Sequence, residues 1–432
     1  MLFLINCGGH YGRKHLDRLS FYQSMLIMKI ITITKTIFFV FISAAILFSC
    51  KENYKAVVPF NYNSLNVIKI PEYLTDLGKD SIINNISFIR LETNDSCLIG
   101  KVSQVLSDSS YLFIVDKEEH NLLKFSKNGK FSKKIGRSGI GKGYYSTLDF
   151  VMINKEKHQL SLLDLQGQKE LVYNYEGDLI KEESIKFAYN AKEEISDNFF
   201  IYHTGLLSNN GNITKSNQIV IYNKKENRYY NEFPYSKYIK DSFSLQAPIP
   251  LQKSLNQVYY YNMLTPDTIW MFKGNEIQAV FALDFTDKVR NKINDEAALI
   301  KEVKTPSVKQ SFSGQYFITK DYLSITIVNK DKTMHPLFYS KTTGKVKYGY
   351  ENYDLNQVQT LSLFDLINDI FPLGTIDDHL FYQVVEPYKL LKQKKGCAPQ
   401  LYKKIISTDR ILLDSIKETD NPILMFYELK PF

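Results

Sequence analysis

Glycine and proline are sparse in this chain, at 20 and 13 of 432 residues, and charged residues make up only 23%. With 44% of residues hydrophobic, this composition excludes wholesale disorder and a collagen-like repeat. Excess charge is lacking too. The formal charge is +8, but the first 49 residues carry Arg13, Lys14, Arg18, Lys29 and Lys35 against Asp17, and the remainder holds a dispersed +4. Such a balance argues against nucleic acid as a partner. No Gly-x-Ser-x-Gly elbow occurs, which removes a nucleophilic serine of that type. Beyond residue 50, His120, His158, His203, His335 and His379 stand alone, with no His-x-His, His-x-x-x-His or Cys-x-x-Cys. That spacing argues against zinc. Asn329-x-Asp331-x-Thr333 lacks the glycine and distal glutamate of a calcium loop and reads as a polar turn. No residue pattern calls for a metal or another cofactor. What the chain does have is 30 Tyr and 28 Phe against one Trp, and aromatic side chains suit a pleated, half-buried β surface. The length allows two to four domains of ~100–200 residues, or one repeat architecture.

The N-terminal segment has the pattern of an export signal. Met28-Lys29 opens a stretch with Lys29 and Lys35, followed by the apolar and small-residue run Ile37–Phe48. The run is too short to span a bilayer comfortably, and a basic region before a short apolar one marks a secretory signal peptide. It ends in Leu47-Phe48-Ser49-Cys50, which resembles a bacterial lipobox and implies that Cys50 is diacylated and becomes the new N-terminus. Each buried CH₂ contributes ~0.8 kcal/mol, so several acyl chains would hold the protein on a membrane. The expected division is an over-extended gene start over 1–27, a lipoprotein signal peptide over 28–49 and a tether over 50–81. One strand is expected in the tether, at Leu65–Ile70. Lys51-Glu52-Asn53 is similar to tags that send some lipoproteins to the outer-membrane surface. The expected address is the cell envelope, lipid-anchored to the outer membrane.

From Ile82 onward the chain repeats. Tyr111–Asp116 and Asn121–Phe131 recur, without a gap, 48 residues later as Gln159–Asp164 and Lys169–Leu179. Asp116 maps to Asp164, Leu123 to Leu171, Phe125 to Tyr173 and Gly129 to Gly177. Looser copies appear at Gln218–Asn223, Asp267–Gly274, Tyr322–Val328 with Pro336–Val346, and His379–Val385 with Asn421–Tyr427. Short strands joined by Asn-Gly, Glu-Gly and Lys-Gly turns build small antiparallel sheets, and a period of ~48 residues is that of a β-propeller blade. The 351 residues from Ile82 to Phe432 hold six blades at ~50–58 residues each. The predicted fold is therefore all-β, a six-bladed propeller over 82–432. A small helical insertion in the last blade is predicted as one amphipathic helix over Pro399–Lys417, with Leu401, Ile405, Leu412 and Ile416 on one face. Ring closure requires Ile82–Leu91 to pair in the blade containing Asn421–Leu429.

Ile89–Thr93, Leu98–Val102, Asn128–Phe131, Lys134–Tyr144, Asp267–Trp270 and Asp420–Leu424 resemble the six-bladed β-propeller lipoproteins of Gram-negative bacteria, a family related to NHL-type propellers. The resemblance implies the fold and the envelope address. Most such proteins have no assigned activity.

Candidate site residues follow from this frame. In Gly136-Arg137-Ser138-Gly139-Ile140-Gly141-Lys142-Gly143 the glycines suggest phosphate binding, but the helix that such a loop needs is replaced by the aromatic and β-branched stretch 144–153. An inter-blade loop is expected, offering Arg137, Lys142 and Tyr144 to a ligand at the mouth of the central channel. Asp116 and Asp164 end equivalent strands and are expected to hold turns. Lys389, Lys392, Lys394 and Lys395 form a solvated face or meet a partner. With Cys7 and Cys50 set aside, Cys97 and Cys397 are the remaining thiols, and an oxidising compartment gives them reason to pair. Two function classes stand. One is a binding or interaction scaffold for a glycan, a peptide or another envelope protein; the other is a lactonase-like hydrolase or lyase using a divalent ion in the channel.

Overall fold

Turn residues interrupt the apolar alternation every few positions, so no strand runs far before the chain reverses. The structure, a computed structural model, describes residues 64–432 apart from 78–81, 206, 208, 210, 215–216, 235–249, 263–266, 274–275, 286–308, 351–366 and 368–369. The leader, the signal segment and Cys50 lie outside the described residues.

After β1 (Asn66–Ile70) and β2 (Thr75–Asp76), β3 (Ile83–Arg90) leads to the first blade, β4 (Gln104–Ser107), β5 (Tyr111–Asp116), β6 (Asn121–Ser126) and β7 (Phe131–Lys134). A short parallel pair, β8 (Arg137–Ser138) and β9 (Tyr144–Tyr145), precedes the second blade, β10 (Phe150–Asn154), β11 (Gln159–Asp164), β12 (Lys169–Asn174) and β13 (Leu179–Ser184). The third blade is β14 (Ala191–Ser196), β15 (Phe199–His203), β16 (Asn217–Asn223) and β17 (Arg228–Pro234), with one helical turn, α1 (Gly211–Thr214), before β16. The fourth is β18 (Leu251–Ser254), β19 (Gln257–Tyr261), β20 (Thr268–Lys273) and β21 (Glu276–Phe285). The fifth is β22 (Gln310–Ile318), β23 (Tyr322–Asn329), β24 (Met334–Ser340) and β25 (Val346–Tyr350). In the sixth, β26 (Gly374–Ile376) and β27 (Leu380–Val385) are followed by α2 (Pro387–Gly396), α3 (Pro399–Lys404) and α4 (Ser407–Ser415), then β28 (Ile423–Leu429).

The first strands of the blades, β4, β10, β14, β18, β22 and β26, touch one another in a closed ring, and the later strands step outward. This is a six-bladed β-propeller. Closure is the expected one: β3 is the outermost strand of the sixth blade, antiparallel to β28, with Arg90 opposite Ile423 and Ile83 opposite Leu429. A ring so closed leaves no blade short of an outer strand.

The stretch expected as a tether with one strand contributes two. β1 pairs in parallel with β21 and β2 with β25, each adding a fifth strand to its blade. Ile68, Ile70 and Leu77 are buried there. Alternation in Asn66–Ile70 gives it an apolar face, and the blade edge gives that face something to cover.

Apolar side chains pack between neighbouring blades. Phe113, Val115 and Leu122 of the first blade meet Val151, Leu160 and Leu171 of the second, and Leu424 and Phe426 of the sixth meet Leu112, Ile114 and Leu123 of the first. Burying each such side chain is worth roughly 1.5–3 kcal/mol. Second strands such as β5 are buried on both faces because each blade lies between two others, whereas β13 carries the exposed pattern of an outer strand.

The helical insertion sits in the last blade, but it is three short helices and not one over 399–417. Ile405 and Ile406 take extended backbone (ψ 131° and 146°) between α3 and α4, and Pro399 opens α3. The apolar spacing holds across that break because Leu390, Ile405, Leu413 and Ile416 all enter the same core. Of the lysines, Lys389, Lys392 and Lys395 are exposed, and Lys394 pairs with Asp414 at 2.6 Å.

Cys97 and Cys397 are free thiols and do not form the disulfide considered above. Cys97 is buried between the sixth and first blades, while Cys397 packs partly buried against the core under the helices.

Candidate functional site

Antiparallel order gives the ring two ends. Turns between first and second strands lie at one, here the lower end. Turns between second and third strands, and the loops between blades, lie at the other, the upper end. A cavity of about 600 Å³ occupies the channel toward the lower end. Its wall comes from the first strands of the first, second, third, fourth and sixth blades and the turns that follow them.

The turn after β26 crosses this end. Asp377 and Asp378 both adopt left-handed backbone, φ 53° and 60°, a conformation that aspartate tolerates better than most residues. Asp377 pairs with Lys155 of the second blade at 2.6 Å and approaches Lys127 of the first at 3.9 Å. Asp378 Oδ1 accepts the Leu255 N–H of the fourth blade at 2.7 Å, and its carbonyl accepts the Lys320 N–H of the fifth at 2.5 Å. One two-residue turn thereby ties its own blade to four others.

Glu193 and Glu194 lie on opposite faces of β14. Glu194 accepts a hydrogen bond from Asn154 Nδ2 at 3.4 Å, and its carbonyl accepts one from Lys253 Nζ at 2.7 Å. Burial pushes the Glu193 carboxyl from its ordinary 4.5 up to about 7, with Lys253 opposing and Glu194 adding to the rise. A carboxyl so placed is divided between its two protonation states near neutral pH.

The predicted loop residues lie at the other end. Arg137 and Lys142 are exposed and Tyr144 is half-buried. Gly139 N–H donates to the Tyr145 carbonyl at 2.9 Å, Gly143 N–H to Glu182 Oε2 at 2.6 Å, and Lys169 Nζ to the Gly141 carbonyl at 3.2 Å. The structure places the three side chains in one inter-blade loop, at the upper end, and none of them lines the cavity.

Asp116 and Asp164 are buried and hold turns, as their repetition suggests. Asp116 accepts the N–H groups of Gly100, Glu118 and Glu119. Asp164 accepts those of Ser146, Thr147 and Gly167 and the Thr147 hydroxyl. Asn329–Thr333 is a polar turn in which Asp331 Oδ1 accepts the Thr333 N–H at 3.0 Å. His203 is buried, shares a hydrogen bond of 2.6 Å with Asn190 Oδ1 and is held near 3 by burial, so it stays neutral. Among the described residues no three His, Cys, Asp or Glu side chains are grouped to hold a metal ion.

Sequence reasoning missed Glu193, Lys253, Asp377 and Asp378. They come from first strands and turns of different blades, and no spacing along the chain connects them.

A crystal structure of a candidate exported protein from Bacteroides fragilis superposes with a TM-score of 0.64 at 18% identity, covering 85% of this chain and 100% of that one. This likeness shows the fold. A member of the duf4221 family from Bacteroides vulgatus reaches 0.44 at 8% identity, over 81% of this chain and 98% of that one. Virginiamycin B lyase from Staphylococcus aureus reaches 0.35 at 9%, over 69% and 94%. Scores that low carry no argument about this chain. No curated protein matches it. Residues 65–428, nearly the whole described ring, match the family described as Domain of unknown function (DUF4934), and the chain belongs to that family.

Proposed function

We propose that this protein is a lipid-anchored envelope propeller that binds a ligand in its central channel and acts as a scaffold. The observation that carries the reading is the cavity of about 600 Å³, walled by first strands of five blades. A rigid ring presenting turns from several blades around one concavity is how propellers build binding sites. The signal-like segment ending at Cys50 supports the envelope address, as does the likeness to a candidate exported protein. Arg137, Lys142 and Tyr144 supply a second surface for a glycan, peptide or envelope protein at the upper end.

Two measurements test this. Cys50→Ala is expected to leave the membrane fraction or stay unprocessed, and an unlipidated wild-type N-terminus by mass spectrometry would remove the anchor. For binding, the detergent-solubilised full chain is applied to glycan and peptide arrays beside Asn256→Trp, which fills the lower mouth, and Tyr144→Ala, which alters the upper loop. Capture lost only in the tryptophan variant supports the channel. Capture lost only in Tyr144→Ala moves the site to the loop, and saturable capture by neither face sinks the binding reading.

A further inference from the structure

The lower cavity has a sign of its own. Six carboxylates and three lysines line it, an acidic surplus within a chain of formal charge +8. Two of the lysines are engaged, Lys155 with Asp377 at 2.6 Å and Lys253 with the Glu194 carbonyl at 2.7 Å. Glu193 stands apart from this pairing. Among the described residues nothing hydrogen-bonds its carboxyl, which is half-buried in the cavity wall with Glu194 as its neighbour in sequence. A carboxylate that no protein donor meets, open in part to a cavity of its own sign, is suited to a cationic donor that arrives from outside.

The chemistry of that donor is constrained. The described carboxylates are not gathered tightly enough to ligate an ion, and a bare divalent cation needs several oxygens at short range. An ammonium group needs less, since it brings one charge and three N–H donors on a flexible stem. Apolar wall is present for such a stem, from the half-buried Leu106, Met152 and Ile153. A carboxylate also closes the lower mouth: Asp377 holds Lys155 in the arrangement that a ligand ammonium would take up.

We propose that the channel cavity takes a small organic polycation, a di- or polyamine, with one ammonium on Glu193. This rests on the binding reading above and names its ligand class. The test is calorimetric titration of the full-length protein in detergent with spermidine, at low and at physiological salt. Saturable binding is expected, weakened about tenfold or more by Glu193→Gln, weakened by salt, and unchanged by Glu118→Gln in an upper turn. Because Glu193→Gln is isosteric and its melting curve is recorded alongside, weakened binding by a folded variant is read as a site effect; Glu194→Gln provides the second variant. Unsaturable heats with wild type, equal affinity in Glu193→Gln, or calcium competing for the same carboxyl would each overturn the amine. Array ligands blocked by Asn256→Trp without spermidine binding would overturn this assignment alone and leave the channel reading standing.

Discussion

Asn421 Nδ2 donates to the carbonyl oxygen of Cys97 at 2.8 Å, joining residues 324 positions apart. The same side chain donates to the Glu92 carbonyl at 2.6 Å and accepts the Ile99 N–H at 2.9 Å, and beside it Arg90 pairs with Asp420 at 2.6 Å. The chain leaving β3 for the first blade is thereby pinned by the residues that open β28, at the seam where the ring closes. Asn421 is 2% exposed, so water cannot replace these bonds. Asn421→Ala is expected to cost about 2–4 kcal/mol, and Asn421→Asp a similar amount, because a carboxylate cannot donate to two carbonyls. Urea unfolding measures this, and an unchanged midpoint would show that the seam is held elsewhere.

Gly129 and Gly177 occupy the same turn in successive blades, both left-handed, at φ 81° and 82°. Their surroundings differ. A Cβ at Gly129 would lie 2.0 Å from the Arg90 carbonyl oxygen, whereas at Gly177 its nearest neighbour is 3.7 Å away. Gly177→Ala is expected to cost only the backbone strain, about 1 kcal/mol, and Gly129→Ala several times more, since backbone must move. Equal melting temperatures for the two variants would contradict this.

Those glycines also show what could be read in advance. Gly129, Gly177, Asp116 and Asp164 recur because every blade must turn in the same places, and a repeated physical demand leaves a repeated residue. Blade number and closure through Ile83–Arg90 followed from that periodicity, and the helical insertion from the apolar face of Leu401, Ile405, Leu412 and Ile416. The break at Ile405–Ile406 did not, since extended β-branched residues preserved the apolar spacing. Neither did the second N-terminal strand, Thr75–Asp76, which is too short to alternate. The cavity was not legible because Glu193, Lys253, Asp377 and Asp378 become neighbours only once the ring closes.

Asp164 provides a test at acid pH. Burial raises its carboxyl, but the hydrogen bonds from Ser146, Gly167 and Thr147 outweigh it and leave the group below its ordinary 3.8. A lowered carboxylate stabilises the fold at pH values above its unfolded pKa, and that contribution is lost as pH falls through the folded value. Asp164→Asn is expected to lower stability at pH 7 by about 1–3 kcal/mol and to flatten the dependence on pH below about 4. A variant that keeps the wild-type slope in that window would show that other carboxylates set acid unfolding.

Glu193 is expected to behave in the opposite sense. Its carboxyl is raised to about 7, by burial first and by Glu194 second, against the pull of Lys253. Between the ordinary 4.5 and that value the folded protein binds more protons at this site than the unfolded chain, so stability falls as pH rises through the window. Below it both states are protonated and there is no penalty; above it the folded state holds an ionised carboxylate without a hydrogen-bond partner. Glu193→Gln keeps the shape and removes the ionisation. The variant is therefore expected to match wild type near pH 4 and to exceed it by roughly 1–3 kcal/mol at pH 8, the partial exposure of Glu193 holding the gain below the full shift. Urea unfolding at the two pH values measures the difference. A gain of the same size at both would point to packing, and no gain at pH 8 would show that Lys253 already neutralises the group. A residue whose ionised form burdens the fold, at a place where a glutamine would not, is what a site kept for a cationic ligand requires.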